Sequence, residues 1–184
     1  MKNGHQIPLV KILYMSIRAS HIIWLTGMSG SGKSTLSHEL KSFFLQKDYK
    51  VYVIDGDEVR GKDSVKLNYG YKDVMKNNLR IAYLCKELKK EHDAIIVPVI
   101  SPYEKIRQKV RSILEPNLHL VYLKSDIESL RNRDTKGLYS AADRGLIKDL
   151  IGYSETSPYD EPINAEIVVE TGSHLTVKES REQL

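Results

Sequence analysis

A glycine-rich turn that could hold a phosphate follows the first apolar run of the chain. The run at 22–26 leads directly into Gly27-Met28-Ser29-Gly30-Ser31-Gly32-Lys33-Ser34-Thr35, where a helical pattern begins. The glycines in this segment allow successive backbone N–H groups to converge on phosphate oxygens, where a Cβ atom would intrude. Lys33 is placed to bridge the β- and γ-phosphates, and the Ser34 hydroxyl is placed to bind Mg²⁺. The spacing predicts a site for a nucleoside triphosphate and Mg²⁺.

Two carboxylates follow the next apolar run, at 51–54, in the segment Asp55-Gly56-Asp57-Glu58-Val59-Arg60. Ligands of open α/β sheets bind at the carboxyl ends of parallel strands, where these side chains would lie. We assign Asp55 to Mg²⁺ and Asp57 to the acceptor, whose hydroxyl it would position or deprotonate during phosphoryl transfer. An ordinary Asp-Gly turn with solvated carboxylates is the alternative. The planar guanidinium of Arg60 suits phosphate or sulfate oxygens.

Short apolar runs alternate with helix-length segments, which predicts an α/β fold with a parallel sheet sandwiched between helices. The predicted strands are Ile22–Thr26, Val51–Ile54, Ala94–Val99, Leu118–Leu123 and Glu166–Val169. Apolar spacing predicts helices at Thr35–Gln46, Asn77–Lys90 and Tyr103–Leu114. Between Lys124 and Tyr159 the periodicity weakens while Arg, Lys, Asp and Gly accumulate. That composition indicates a mobile lid over the strand ends.

Length and charge narrow the class of protein. The chain has 184 residues with 41% hydrophobic content, which suits one compact domain. We assign 21–184 to this domain and treat 1–20, which carries no motif, as an N-terminal extension. The formal net charge of +4 is modest, and the lysines are scattered among acidic residues. Small anionic molecules explain this charge, and nucleic-acid binding is not indicated.

The only cysteine, Cys85, lies in an apolar helical pattern with Ile81, Leu84 and Leu88. The chain therefore forms no internal disulfide, and we expect a buried thiol instead of a nucleophile. No apolar run approaches the roughly 20 residues that span a bilayer. These observations predict a soluble protein of the reducing cytoplasm, without a membrane partner.

Several motifs beyond the phosphate loop resemble those of the adenylylsulfate kinases. The matching segments are Asp55-Gly56-Asp57-Glu58-Val59-Arg60, Ile100-Ser101-Pro102-Tyr103, Arg133-Asp134-Thr135-Lys136-Gly137-Leu138-Tyr139, Ile147-Lys148 and Ser157-Pro158-Tyr159-Asp160-Glu161-Pro162. They follow the family's order and extend over roughly residues 21–171. The resemblance implies a P-loop NTPase fold with a mobile lid. It also implies Mg²⁺-dependent transfer of the ATP γ-phosphate to the ribose 3′-hydroxyl of adenylyl sulfate, a step of sulfate assimilation.

The resemblance further implies contacts to both nucleotides. The implied acceptor residues are Asp57, Arg60, Tyr71, Asn77, Ile100, Ser101, Lys136 and Leu150. Arg133 would contact the ATP base or phosphates, or would form a salt bridge with Asp134 that shapes the lid. Arg107 would reach the acceptor's anionic group or would lie on a solvated helix face, and Lys148 is a second lid cation. The family also implies a homodimer and a possible association with a sulfurylase.

Two positions depart from the family pattern in the acceptor region. The family carries an arginine after the aspartate of its DRxENIRRI helix, whereas this chain has Val74, which removes a charge-assisted contact worth about 1.5–3 kcal/mol. The family's IKxFTG places an aromatic residue where this chain has Leu150, so one side of the adenine clamp is aliphatic. Another nucleotide-linked acceptor, such as cytidine diphosphoramidate in capsule modification, therefore stays open. A non-catalytic nucleotide-binding protein is the third possibility, against which Asp57 and the segment 133–139 argue.

Overall fold

The computed structural model describes residues 20–54, 56, 59, 70–172 and 174–183. Asp55, Asp57 and Arg60 lie outside these residues, as does the N-terminal extension apart from Ser20. The described strands are β1 (His21–Thr26), β2 (Val51–Val53), β3 (Ala94–Pro98), β4 (Leu118–Lys124) and β5 (Ile167–Glu170). The helices with described bounds are α1 (Lys33–Leu45), α2 (Tyr71–Leu88), α3 (Glu104–Leu114), α4 (Ile127–Arg133), α5 (Leu138–Asp143) and α6 (Val177–Glu182).

The strands form one parallel sheet with the order β2-β3-β1-β4-β5. The central strand β1 pairs with β3 through Ile23 and Ile96 and with β4 through Ile23 and His119. All six β1 residues are buried, as expected of a parallel strand covered on both faces. The predicted fold class is confirmed, and each strand bound lies within two residues of the prediction.

Alternate side chains of β1 enter two separate apolar clusters, because successive residues of a strand point to opposite faces. Ile23 and Leu25 pack in a cluster with α1, which contributes Leu36, Leu40 and Phe44. Ile22 and Trp24 pack on the other face with residues of α2 and α3, including Ile81, Ala82, Cys85, Val110 and Leu114. The two clusters fix the carboxyl end of β1 in the middle of one edge of the sheet.

The helices show where apolar periodicity under-predicts structure. Helix α2 begins at Tyr71, before the predicted start at Asn77. The prediction began too late because the first helical residues are partly exposed and carry little apolar pattern. Between 124 and 159, α4 and α5 pack through a small cluster of Leu130, Tyr139 and Leu150. Helix α6 is an addition to the predicted elements. None of the described helices is long and apolar enough to cross a membrane.

Cys85 lies on the core face of α2. Its side chain is fully buried, and this burial raises the pKa of the thiol to about 12. The thiolate is the reactive form of cysteine, so this thiol is chemically inert in the folded protein. The prediction of a buried thiol is confirmed.

A buried histidine pair lies between β1 and β4. His21 Nδ1 and His119 Nε2 are 2.9 Å apart, and burial, followed by the charge of His21, lowers the pKa of His119 to about 4. In the unfolded chain a histidine titrates near 6.5, so the unfolded state binds the proton first as pH falls. We expect His119 to cost about 1–3 kcal/mol of stability between pH 6.5 and pH 4.

Urea unfolding at pH 7, 5 and 4 measures this loss. The variant His119→Gln should lose less stability over the same range, because it keeps a polar side chain but cannot titrate. Equal losses in the two proteins would contradict the assignment.

Candidate active site

The phosphate loop, residues 27–32, joins the carboxyl end of the central strand β1 to α1. Gly30 and Gly32 adopt φ angles of 78° and 92°, in the left-handed region that glycine enters without strain. Gly32 is also the N-cap of α1, a 13-residue helix whose first turn contains no acidic side chain. The positive end of the helix dipole is therefore free to act on an anion at the loop.

Lys33 lies in the loop with its ammonium group turned onto the backbone. Its Nζ donates hydrogen bonds to the carbonyl oxygens of Gly27 and Met28, at 2.8 and 2.7 Å. Burial, followed by the charge of Lys136, lowers the pKa of Lys33 to about 7. A phosphate beside this group would favour its charged form and would offer stronger acceptors than the two carbonyls.

A cavity of about 670 Å³ opens above the loop and extends to both sides of β1. We call one side the α2 wall; it includes Val74, Asn77, Asn78, Val99, Ile100 and Ser101. We call the other side the α6 wall; it includes Leu123, Arg133, Thr171, Leu175, Val177 and Ser180. The two walls follow from the sheet order, because β3 lies on one side of β1 and β4 on the other. The cavity can therefore hold two ligand groups that meet above the phosphate loop.

The α2 wall carries buried polar atoms that have no protein partner. Asn77 Oδ1, Asn78 Oδ1 and Ser101 Oγ are inaccessible to solvent and have no hydrogen-bond partner among the residues that the structure describes. Val74, Asn77 and Asn78 share one face of α2, at the spacing i, i+3 and i+4. An unsatisfied buried polar group costs about 1–3 kcal/mol, so such groups favour a ligand that supplies hydrogen bonds.

A family model of adenylylsulphate kinases matches residues 19–170. The chain belongs to the adenylylsulphate kinase family. It is 39% identical to an adenylyl-sulfate kinase of Bacillus licheniformis over 84% of this chain and 78% of the relative. It is 36% identical to an adenylyl-sulfate kinase of Staphylococcus epidermidis over 100% of this chain and 84% of the relative. The resemblance seen in the motifs is confirmed.

A solved structure of an adenylylsulphate kinase has the same fold. The APS kinase CysC of Mycobacterium tuberculosis, determined in complex with AMPPNP and APS, superposes with a TM-score of 0.78 at 26% sequence identity. The match covers 90% of this chain and 95% of that protein. The five-stranded parallel sheet and the position of the loop after β1 are therefore those of the family.

Most of the predicted phosphate-loop residues line the cavity. Ser29, Gly30, Ser31, Gly32, Lys33, Ser34 and Thr35 all contribute to its wall. Gly27 contributes its carbonyl to Lys33 instead. Met28 packs against the cluster of Leu130, Tyr139 and Leu150, so its side chain contacts the lid.

The lid cations have different surroundings. Arg133 lines the α6 wall and donates to Ser125 Oγ at 2.6 Å and to the carbonyl of Ser129 at 3.2 Å. The alternative salt bridge with Asp134 is not formed, because the Asp134 carboxylate accepts hydrogen bonds from the backbone at the start of α5. Lys136 is exposed and lines the cavity, whereas Lys148 is exposed on the lid.

The described residues that were predicted to bind the acceptor do not all lie together. Asn77, Ile100 and Ser101 lie together on the α2 wall. The Tyr71 ring lies 4.9 Å from that of Tyr103, at the start of α2, and is 42% exposed. Leu150 packs into the lid cluster with Leu130 and Tyr139, while the next residue, Ile151, lines the cavity. The acceptor roles of all these residues stay predictions.

Arg107 lies in the interior, and the alternative of a solvated helix face is wrong. Its side chain is 3% exposed. The guanidinium donates to the carbonyl oxygens of Ser101 and Asp160 at 2.7 and 2.6 Å, and it pairs with Glu104 Oε2 at 2.7 Å. Its donors therefore hold the backbone around the α2 wall.

Three features of the cavity escaped the sequence reasoning. Asn78 stands at a core-facing position of α2 where the apolar pattern calls for a hydrophobic residue, and that mismatch is a usable signal. Tyr139 donates a hydrogen bond from its hydroxyl to the carbonyl of Ser29, 2.8 Å away, which joins the lid to the phosphate loop. The α6 wall depends on Leu175 and Val177, whose segment shows only the capping pattern Thr176-Val177-Lys178-Glu179.

Proposed function

We propose that this protein transfers the γ-phosphate of ATP to the ribose 3′-hydroxyl of adenylyl sulfate, giving 3′-phosphoadenylyl sulfate. The observation that carries the proposal is the single cavity whose two walls meet above the phosphate loop. A kinase that transfers a phosphoryl group from one nucleotide to another needs such an arrangement, because the transferred group must lie in line between them. Family membership supplies the identity of the acceptor.

ATP would bind with its phosphates at the loop and its nucleoside toward the α6 wall. Lys33 would then exchange the carbonyls of Gly27 and Met28 for phosphate oxygens and stabilise the charge that develops during transfer. Arg133 is available at the wall beside the nucleotide. The Ser34 hydroxyl is exposed at the cavity, as a ligand of Mg²⁺ must be, and Asp55 would complete the set. Mg²⁺ supplies neutralisation of phosphate charge when it is bound.

Adenylyl sulfate would bind at the α2 wall. The unpaired oxygens of Asn77 and Ser101 offer it hydrogen bonds, and the side chains of Arg60, Tyr71, Lys136 and Leu150 are proposed to complete the pocket. Asp57 would position the 3′-hydroxyl and accept its proton. The lid residues would exclude water, which would otherwise compete as the acceptor of the phosphoryl group.

The biological setting is proposed on the same family basis. We place the reaction in the cytoplasm, as a step of sulfate assimilation, which agrees with the free thiol of Cys85. A homodimer and an association with a sulfurylase are proposed from the family resemblance alone.

The deciding experiment measures ATP-dependent phosphorylation of adenylyl sulfate beside cytidine diphosphate-linked acceptors. We expect turnover of adenylyl sulfate and a loss of about 10²–10⁴-fold in Asp57→Ala. The exposed lid residue Asp149 provides the matched control, and Asp149→Ala should keep the wild-type rate.

The other outcomes identify the alternatives. Turnover of a cytidine acceptor alone would identify a kinase of another nucleotide-linked hydroxyl, in agreement with the apolar Val74, which is 2% exposed and lines the cavity. ATP binding without turnover of any acceptor would identify a non-catalytic protein.

A further inference from the structure

The turn at Ile100–Pro102 holds Ser101 in an unusual conformation. Ser101 has a φ of 45°, in the left-handed region that residues with a Cβ rarely adopt. Its side chain is 2% exposed, and its Oγ lies in the α2 wall without a hydrogen-bond partner. Such a conformation persists only where the surrounding structure holds it.

Two side chains hold the backbone of this turn. Thr26, the last residue of β1, donates from Oγ1 to the carbonyl oxygen of Ile100 at 2.6 Å. Arg107 donates from a terminal nitrogen to the carbonyl oxygen of Ser101 at 2.7 Å. Both carbonyls are therefore fixed by hydrogen bonds, and Ser101 itself lies in the wall of the cavity.

Both of these side chains are in turn held by Tyr159 or Asp160, at the end of the lid. The hydroxyl groups of Tyr159 and Thr26 are 2.9 Å apart. The one proton of the Thr26 hydroxyl is used on Ile100, so Tyr159 is the donor in this pair. Burial raises the pKa of Tyr159, which keeps its hydroxyl protonated and able to donate. Arg107 packs over the Tyr159 ring, with Cζ 5.7 Å from the ring centre.

Asp160, the next residue, also binds the turn and the start of α3. Its N–H donates to the carbonyl of Pro102 at 2.8 Å, and its carbonyl accepts from Arg107 at 2.6 Å. Its carboxylate accepts from the N–H of Glu104 at 3.0 Å and so caps the start of α3. Just before Tyr159, the lid backbone is closed by a hydrogen bond from the N–H of Gly152 to the carbonyl of Ser157 at 2.7 Å.

We propose that Tyr159 is a positioning residue which, through Thr26, holds the left-handed turn at Ser101 in the form that binds the acceptor. The proposal rests on the proposed function and adds a residue that does not line the cavity. Acceptor binding would then depend on the end of the lid, because Tyr159 and Asp160 lie there and also hold the turn at Ser101.

Steady-state kinetics of Tyr159→Phe tests the proposal. This variant keeps the ring that lies over Arg107 and stacks on Tyr122, and removes only the hydroxyl. We expect the KM for adenylyl sulfate to rise about 3- to 10-fold, the loss expected for one hydrogen bond, while the KM for ATP stays within about 2-fold. Tyr122→Phe is the matched control, since it keeps the ring that stacks on Tyr159 and removes a hydroxyl that interacts with Glu161.

A second pair of variants, at Thr26, distinguishes the loss of the hydrogen bond from a packing defect. Thr26→Val should reproduce the rise in KM for adenylyl sulfate, and Thr26→Ser should restore the wild-type value. An unchanged KM for adenylyl sulfate in Tyr159→Phe, or an equal rise in the KM for ATP, would overturn the proposal while leaving the proposed function intact. A wild-type protein that does not phosphorylate adenylyl sulfate would overturn both.

Discussion

Replacing Lys33 with methionine is expected to lower kcat by at least about 10²–10³-fold, the effect of removing one preorganised donor to a developing negative charge. The side chain keeps its length but loses the ammonium group that now binds the carbonyls of Gly27 and Met28. The left-handed glycines and the start of α1 are still present in the variant, so ATP should still bind, although more weakly. Rapid-quench measurement of phosphoryl transfer separates the chemical step from binding.

The control for this variant lies on the same helix. Lys41 is exposed on α1, and Lys41→Met should retain full activity. A Lys33→Met enzyme that keeps more than about a tenth of the wild-type rate would contradict the role assigned to Lys33.

Gly27→Ala should give the second large effect, on stability and ATP binding together. A Cβ at this position would lie 2.7 Å from the carbonyl oxygen of Leu123 and 2.6 Å from Ser31 Oγ, at a φ of 155°. The Leu123 carbonyl belongs to the backbone of β4 and cannot rotate away. We expect a loss of about 1–3 kcal/mol in the free energy of unfolding, as for an overpacked core site. Urea unfolding and calorimetric titration with ATP measure the two effects.

Gly70 provides the comparison. A Cβ there meets no atom of the described residues within 4 Å, and φ is −68°. Gly70→Ala should cost less than about 1 kcal/mol, the range for a helix N-cap, and should leave ATP binding unchanged. Similar losses in the two variants would show that the close approach to β4 is unimportant.

The parts of the fold predicted from sequence are those whose cause is local. Strand β1 and the phosphate loop follow from an apolar run and from glycines at fixed offsets. The start of α2 was missed because Tyr71 and Lys72 are exposed, and an exposed turn leaves no apolar pattern. Helix α6 was missed although Thr176 and Glu179 form a capping box that can be read from the sequence.

The parts of the site that were not predicted depend on contacts between distant residues. Tyr159 and Thr26 are 133 positions apart, and no periodicity links them. The chain alone left Arg107 open between an acceptor contact and a solvated face. Its bonds to Ser101 and Asp160 appear only once α3 packs beside the turn after β3. Leu150 was assigned to the acceptor pocket from the motif order, and its burial against Leu130 depends on how the lid folds.

The central position of β1 also bears on how this enzyme family diversifies. The α2 wall is built from residues 74–101, and the α6 wall from residues 123–180, so the two are encoded by separate stretches of the chain. The phosphate loop lies between the two walls. We expect substitutions in the first stretch, such as the valine at 74, to affect acceptor binding more than ATP binding. We expect a chimaera that exchanges residues 70–103 between relatives to change the KM for the acceptor more than the KM for ATP.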